Sequence, residues 1–465
     1  MIKYIFPFLM LLSNIAFSQG YKIHLNLESV PNEQVFLTHY YVGNIFVDDT
    51  LQLNAKGSGT IIGDTLLPQG LYKIYMDDKT HFDFLLGADQ EFTITNKTFT
   101  STDIQANGAI ETEEFIKYMG FLSDLKKEGA EINRKLKTAT GTEKENLQGE
   151  LSKLTPQLNN YWRNINKKYP NTFLAAFLMS NYVPELDQSI LALEIQQNDS
   201  LLLMAKYYYQ QEHYWDYLDY TNEHFLYTPL LKPKLETWFT KVLYQNYDSV
   251  RQPVFEFIES VKPNKRIFQF VTSWFLNSSI NSKIMGMDAL FVDLAKTYYL
   301  SGEAFWATEK SMKLIRENVM FMERGLIGET AADLTLESVD GEFFNLHQID
   351  KKLTAVIIYE PNCSHCKVFT PALYNDIYLK YRDNGLEVFA IYSMDNKEEW
   401  VEFLEKHKMW DWINVWDKEH ISRFKISYDA RKTPRVFVLD ENKKIISKDL
   451  SIEQLDFVIG AKLSN

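Results

Sequence analysis

The chain has 465 residues and a formal net charge of −13, with 45% hydrophobic and 24% charged residues. That length exceeds one hydrophobic core and predicts about two to four domains of ordinary globular composition. The acidic balance argues against nucleic acid and anionic membrane surfaces as partners, and two cysteines are too few for a framework of stapling disulfides.

The first residues read as a segment removed before folding. Lys3 supplies a small positive region, Ile5 to Leu12 a short apolar stretch, and Ala16-Phe17-Ser18 small residues at a cleavage point before Gln19. Residues 1–18 therefore predict a secretory signal peptide, since the apolar run is too short to span a bilayer. No later stretch is apolar enough to insert stably in a membrane, so the mature protein is expected in the periplasm or cell envelope.

Residues 19–105 read as β. Tyr21–Leu27 alternates apolar and polar, and Gln34–Tyr41, Gly70–Met76 and Glu91–Thr95 follow. Pro31-Asn32, Gly57-Ser58-Gly59, Pro68-Gln69-Gly70 and Asp77-Asp78-Lys79 supply the turns, and together they predict an antiparallel β-sandwich. His24, His39 and His81 stand apart and read as ordinary strand histidines.

Residues 106–325 turn to helical spacing. Phe115, Met119, Leu122 and Leu125 mark one helix and Leu147, Leu151, Leu154, Leu158 and Trp162 another, with a break at Gly141-Thr142 where the threonine resembles an N-cap. A further helix is expected from Phe173. The aromatic run Tyr207 to Tyr220 reads as helix packing plus surface tyrosines. Glu212-His213 and Glu223-His224 lack the paired histidines of a helical zinc site, so no metal is assigned.

Gly325 to Gly328 reads as a linker, and from residue 326 to 465 strands alternate with helices. Ala355–Tyr359 is a buried strand, followed by Cys363-Ser364-His365-Cys366 and a helix from Lys367. Strands at Leu386–Tyr392, Trp412–Val415, Val436–Asp440 and Lys444–Ile446 and helices at Glu398–Lys406 and Ile452–Leu463 complete the pattern of a sheet covered on both faces.

Three features in this order resemble the thioredoxin superfamily, in particular the exported TlpA/ResA-like thiol-disulfide oxidoreductases: a strand running into Cys363–Cys366, Pro371 five residues on, and Thr433-Pro434 before a strand. Leu334–Ser338 with Asp340-Gly341 and Phe344–Leu346 looks like the family's opening hairpin. The β-then-helical preface is similar to exported redox proteins of Bacteroidota. The resemblance covers about the last third of the chain. The expected fold is thus multidomain α+β: an N-terminal β-sandwich, a central all-α domain and a C-terminal thioredoxin-like α/β domain.

Cys363 is expected at a helix N-terminus, where unpaired N–H groups and the helix dipole favour a thiolate; it is the candidate nucleophile, and Cys366 the resolving thiol. Pro434, cis in the family, should pack against the pair and leave the Thr433 backbone free for a substrate strand. Thr433 and Tyr359 are the candidate substrate-binding residues. The His365 imidazole should stabilise the reduced pair and raise its potential. The resemblance also marks departures. Ile357 replaces the buried acid of ordinary thioredoxins, with Glu360 as the nearest substitute, and Phe369 replaces the acid that many reductases carry. Glu360 also stands where peroxiredoxins need threonine, and Lys367 where haem attachment needs histidine. Neither cofactor nor metal is implied. The expected partners are protein thiols or disulfides and a redox partner. The competing reading is an envelope ligand- or protein-binding module with an accessory redox domain.

Overall fold

The computed structural model describes residues 20–77 and 80–464, so the stretch read as a signal peptide and part of the turn at residues 77–79 lie outside the described residues. The chain forms two compact units, divided between Leu243 and Tyr244.

In the first unit eight strands build two four-stranded sheets. They are β1 (Tyr21–Leu27), β2 (Gln34–Tyr41), β3 (Asn44–Gln52), β4 (Ser58–Gly63), β5 (Gly70–Asp77), β6 (Thr80–Leu86), β7 (Glu91–Asn96) and β8 (Ile104–Asn107). The sheet orders are β4-β1-β7-β8 and β3-β2-β5-β6. Period-two alternation turns Ile23 and Leu25 of β1, Leu37 of β2, Ile74 of β5 and Ile94 of β7 into one shared core. The expectation of a purely antiparallel arrangement needs one correction, because β1 and β7 run parallel, Ile23 opposite Phe92. Strands so far apart in sequence need no hairpin, which leaves either direction open.

Helices α1 (Ile110–Leu136), α2 (Gly141–Ser152), α3 (Leu154–Lys168), α4 (Phe173–Met179), α5 (Leu193–Gln196), α6 (Asp199–Glu212) and α7 (Leu231–Thr237) complete this unit. The apolar run Leu147–Trp162 is two helices, broken at Lys153, and the residue at the α2 N-cap is Thr140, not Thr142. At α4 the Thr172 side chain accepts from the Ala175 amide, a working N-cap. Helix α6 has no buried residue: Leu203 and Met204 stand 70% and 50% exposed, so the tyrosine-rich stretch after them contributes less to packing than its aromatic content suggests.

The second unit begins with α8 (Tyr247–Val261), α9 (Lys265–Ile280), α10 (Met287–Leu294) and α11 (Glu309–Met322). Next come β9 (Thr335–Ser338), β10 (Phe343–Asn345), β11 (Leu353–Tyr359), α12 (Cys366–Ala372), α13 (Leu379–Tyr381), β12 (Leu386–Tyr392), α14 (Lys397–His407), β13 (Ile413–Trp416), α15 (Phe424–Ser427), β14 (Arg435–Leu439), β15 (Ile445–Lys448) and α16 (Ile452–Leu463). The seven strands form one sheet, β10-β9-β13-β12-β11-β14-β15. Strands β11, β12 and β13 are mutually parallel, and β14 is antiparallel to β11. Every residue of β11 is buried, as its unbroken apolar run requires of a strand covered on both faces. Ala355, Ile357 and Tyr359 face α12, α14 and α16, whereas Val356 and Ile358 face α15 and the segment before β9.

Gly325 to Gly328 is not a free linker. Gly325 is buried and its carbonyl accepts from Lys448 Nζ; the Gly328 amide donates to Ile445 at 2.8 Å, and Ile445 returns a bond to Glu329 at 2.9 Å. Of the two glycines, Gly328 holds the left-handed φ of +87° that favours glycine, whereas a Cβ at Gly325 would make ordinary contact with the Phe437 ring at 3.4 Å.

Candidate active site

Strand β11 ends at the surface of the sheet and delivers a tight loop. The Cys363 amide donates to the Glu360 carbonyl at 3.1 Å, and α12 starts at Cys366 with the Lys367 amide bonded to the Cys363 carbonyl at 3.1 Å. The loop thus folds back over the first turn, and the two cysteines lie 3.5 Å apart as free thiols. Cys363 is partly exposed, and Cys366 is fully buried against β11.

These settings split the two thiols. Partial burial pushes Cys363 up, but the Cys366 amide, the Cys366 thiol, the His365 amide and the Thr433 side chain together outweigh it and hold Cys363 below the ordinary thiol value. Cys366 is pushed up to about 11, first by burial and then by its neighbour's sulfur. A low outer thiol beside a high inner one is the arrangement in which only the outer sulfur attacks readily at neutral pH.

The Thr433–Pro434 peptide bond is cis, as the resemblance implies. The Thr433 carbonyl is not vacant, however. The Cys363 thiol donates to it at 3.4 Å, so in the thiol form that acceptor is already engaged. His365 lies in the loop at the start of α12 with its side chain exposed. Among the described residues no hydrogen bond reaches its imidazole; its contribution to Cys363 comes through the backbone amide.

Tyr359 must be corrected as a substrate-contact residue. It is fully buried at the end of β11, its hydroxyl accepts from Trp400 Nε1 at 2.9 Å, and burial holds its phenol well above the ordinary range. The sequence already placed Tyr359 in a buried strand, and the last residue of that strand does lie under α14, out of a client's reach. Ile357 leaves no acid beneath the pair, being buried among apolar residues. Glu360 is half-buried, with Ser393 Oγ donating to it at 3.4 Å.

A groove of about 960 Å³ opens beside the cysteine loop, lined by His365, Val368, Phe369, Pro434, Leu450 and Ile452 among others. Val368 is 73% exposed. The sequence marks Phe369 only as a departure from the reductase pattern and Val368 only as a helix residue, and nothing in their spacing separates groove-facing from core-facing positions. Among the described residues no group of three or more His, Cys, Asp or Glu is placed to hold a metal. No helix there is long and apolar enough to cross a membrane.

Residues 327–448 match the model of the AhpC/TSA family. A domain of a possible thiol-disulfide isomerase from Cytophaga hutchinsonii is 36% identical over 30% of this chain and 95% of its own, with a TM-score of 0.28. The chain belongs to the thioredoxin superfamily. As a thioredoxin-like thiol-disulfide oxidoreductase it has further likenesses. A conserved protein of unknown function from Bacteroides fragilis is 33% identical over 29% of this chain and 98% of its own, with a TM-score of 0.25. A thioredoxin-like protein from Bacteroides caccae is 17% identical over 60% of this chain and 98% of its own, with a TM-score of 0.47. Comparison with curated proteins gives no match.

Proposed function

We propose that this thioredoxin-like oxidoreductase exchanges disulfides with protein clients through Cys363 as nucleophile and Cys366 as resolving thiol, after export to the periplasm or cell envelope. The observation that carries the reading is the split between the two sulfurs, one lowered by amides at the start of α12 and one buried and raised to about 11, beside the cis Thr433–Pro434 bond. Export rests on the signal-peptide reading of residues 1–18.

In the reductive direction the Cys363 thiolate attacks a client disulfide; one client sulfur leaves as thiolate and a mixed disulfide forms. Cys366 then loses its proton and attacks Cys363 Sγ. The mixed disulfide breaks, the second client thiolate leaves, and Cys363–Cys366 becomes a disulfide. Two electrons have passed to the client, and a dithiol redox partner must return them. The reverse sequence oxidises a client dithiol. The potential of the pair decides which direction prevails.

The full chain is expected to reduce disulfide-bonded insulin. Cys363→Ser should lose that activity, and Cys366→Ser should accumulate a mixed disulfide visible on a non-reducing gel. An active Cys363→Ser protein would sink the assignment. The exposed apolar face of α6 favours a second reading, in which the first unit binds an envelope protein and the redox domain is accessory. A wild-type protein without exchange activity would support that reading.

A further inference from the structure

The groove beside the cysteines does not stop at the edge of the sheet. Arg435, Asp449 and Leu450 line it, and the same three residues line a second cavity of about 370 Å³ on the side of α9, α10 and α11. Two openings that share three wall residues are neighbours across a single partition. That partition is firmly built. Arg435 pairs with Asp449 through Nη1, the Val436 amide donates to Asp449 Oδ1 at 3.4 Å, and the Asp449 amide donates to the Val436 carbonyl at 2.8 Å. It stands directly after Pro434 in sequence. The preceding residue of the same segment, Lys448, is buried and pairs with Asp288 of α10. The helices of this unit are thereby tied to β15, which pairs with the strand that leaves the cis-proline, Lys448 opposite Phe437.

We propose that the two cavities form one recognition track for an extended polypeptide. The client's cysteine sits at Cys363, and its flanking residues pass over the Arg435–Asp449 partition into the helical cleft. The inference rests on the disulfide-exchange reading above. Three observations select an unfolded polypeptide over a small thiol or a charged metabolite. Together the cavities exceed the roughly 300–1,000 Å³ of a typical small-ligand site. The groove presents Val368, and the cleft is edged by Ile284 and Met285, which stand 37% and 43% exposed and suit the apolar side chains that an unfolded client displays. Most charges lining the cleft are already paired, Lys448 with Asp288, Arg435 with Asp449 and Asp429 with Arg431, and the exposed Lys283 alone makes no site for an ionic ligand.

The test uses the full reduced chain in single-turnover reactions with two substrates. One is a peptide of about 12 residues, ~40 Å when extended, whose central cysteine is in mixed disulfide with thionitrobenzoate. The other is the same mixed disulfide on free cysteine. Ile284→Asp with Met285→Asp changes only exposed loop side chains. The double variant should lower the second-order rate constant for the peptide about tenfold and leave that for the single amino acid unchanged. Equal rates for wild type and variant on the peptide would overturn the inference, as would an equal fall on both substrates, which would place the effect at the cysteines. A wild-type protein that releases thionitrobenzoate from neither substrate would refute the exchange reading itself, and the track with it.

Discussion

At the scale of single residues, the cysteine loop works through backbone amides more than side chains. His365 illustrates this. Its φ of −71° is one that proline adopts, and its amide is among the groups lowering the Cys363 thiol. His365→Pro deletes that N–H, destabilises the thiolate and is expected to lower the reduction potential, by on the order of 10–30 mV after allowance for solvent screening. His365→Ala keeps the amide and should shift the potential by less than about 10 mV. Equilibrium titration against glutathione distinguishes the two, and a large shift in the alanine variant would return the role to the imidazole. The pH dependence follows from the same split. Thiolate grows as pH rises through the pKa, so alkylation of Cys363 by iodoacetamide should reach half its plateau rate below the ordinary thiol value of ~8.5. Cys366 should stay inert until the pH approaches its own value of about 11. A single alkylation midpoint at or above the ordinary value would contradict the geometry. That Cys363 and Cys366 lie together follows from their two-residue spacing, whereas the cis Thr433–Pro434 bond was implied by the family resemblance and by no local pattern. Tyr359 lies in the strand read as buried, and that burial, which the apolar run does encode, rules out the client contact assigned to it.

At the scale of elements, β11 and α14 are locked beneath the site. Trp400 Nε1 reaches the Tyr359 hydroxyl, and the Trp400 ring stacks on Tyr392 at 5.3 Å. Tyr359→Phe strands a buried donor and is expected to cost about 1–3 kcal/mol of stability, read as a lower urea midpoint, while KM for a disulfide client stays constant. A raised KM with unchanged stability would instead restore Tyr359 to the substrate surface. The elements that sequence reading found are those with two-sided burial or a strong period. Leu386–Tyr392 and Ile452–Leu463 match their strand and helix end to end. Strand β3 was missed for the opposite reason. Ile45, Phe46 and Val47 are contiguous and all exposed, and Asp48-Asp49 follows, so no alternation marks it. It is held by its ladder to β2, a long-range pairing that no local pattern records.

At the scale of the molecule, the tie between helices and sheet in the second unit lies where the sequence promised a flexible joint. Lys448 is buried, with Asp288 and the Gly325 carbonyl as its partners. Asp288→Ala leaves that charge half-paired and is expected to destabilise the unit by about 3 kcal/mol. The expected readout is an earlier unfolding transition of the full chain by tryptophan fluorescence; an unchanged transition would show that the pair contributes nothing to holding the unit together. Glycines at 325 and 328 read as punctuation in one dimension, and only the folded sheet shows the segment between them bonded to Ile445 and packed beside Phe437.

The hydrogen bond from the Cys363 thiol to the Thr433 carbonyl carries one more consequence. A thiol donates and a thiolate cannot. While the proton stays on sulfur, it occupies the carbonyl on which a client strand would hang its own amide. Once the proton leaves, that acceptor is released at the same moment the sulfur becomes reactive. Docking and attack then share one latch, and a client that grips Thr433 helps to keep the sulfur ionised. Affinity for such a client should tighten as pH rises through the Cys363 value, whereas a small disulfide with no amide to offer would gain reactivity alone.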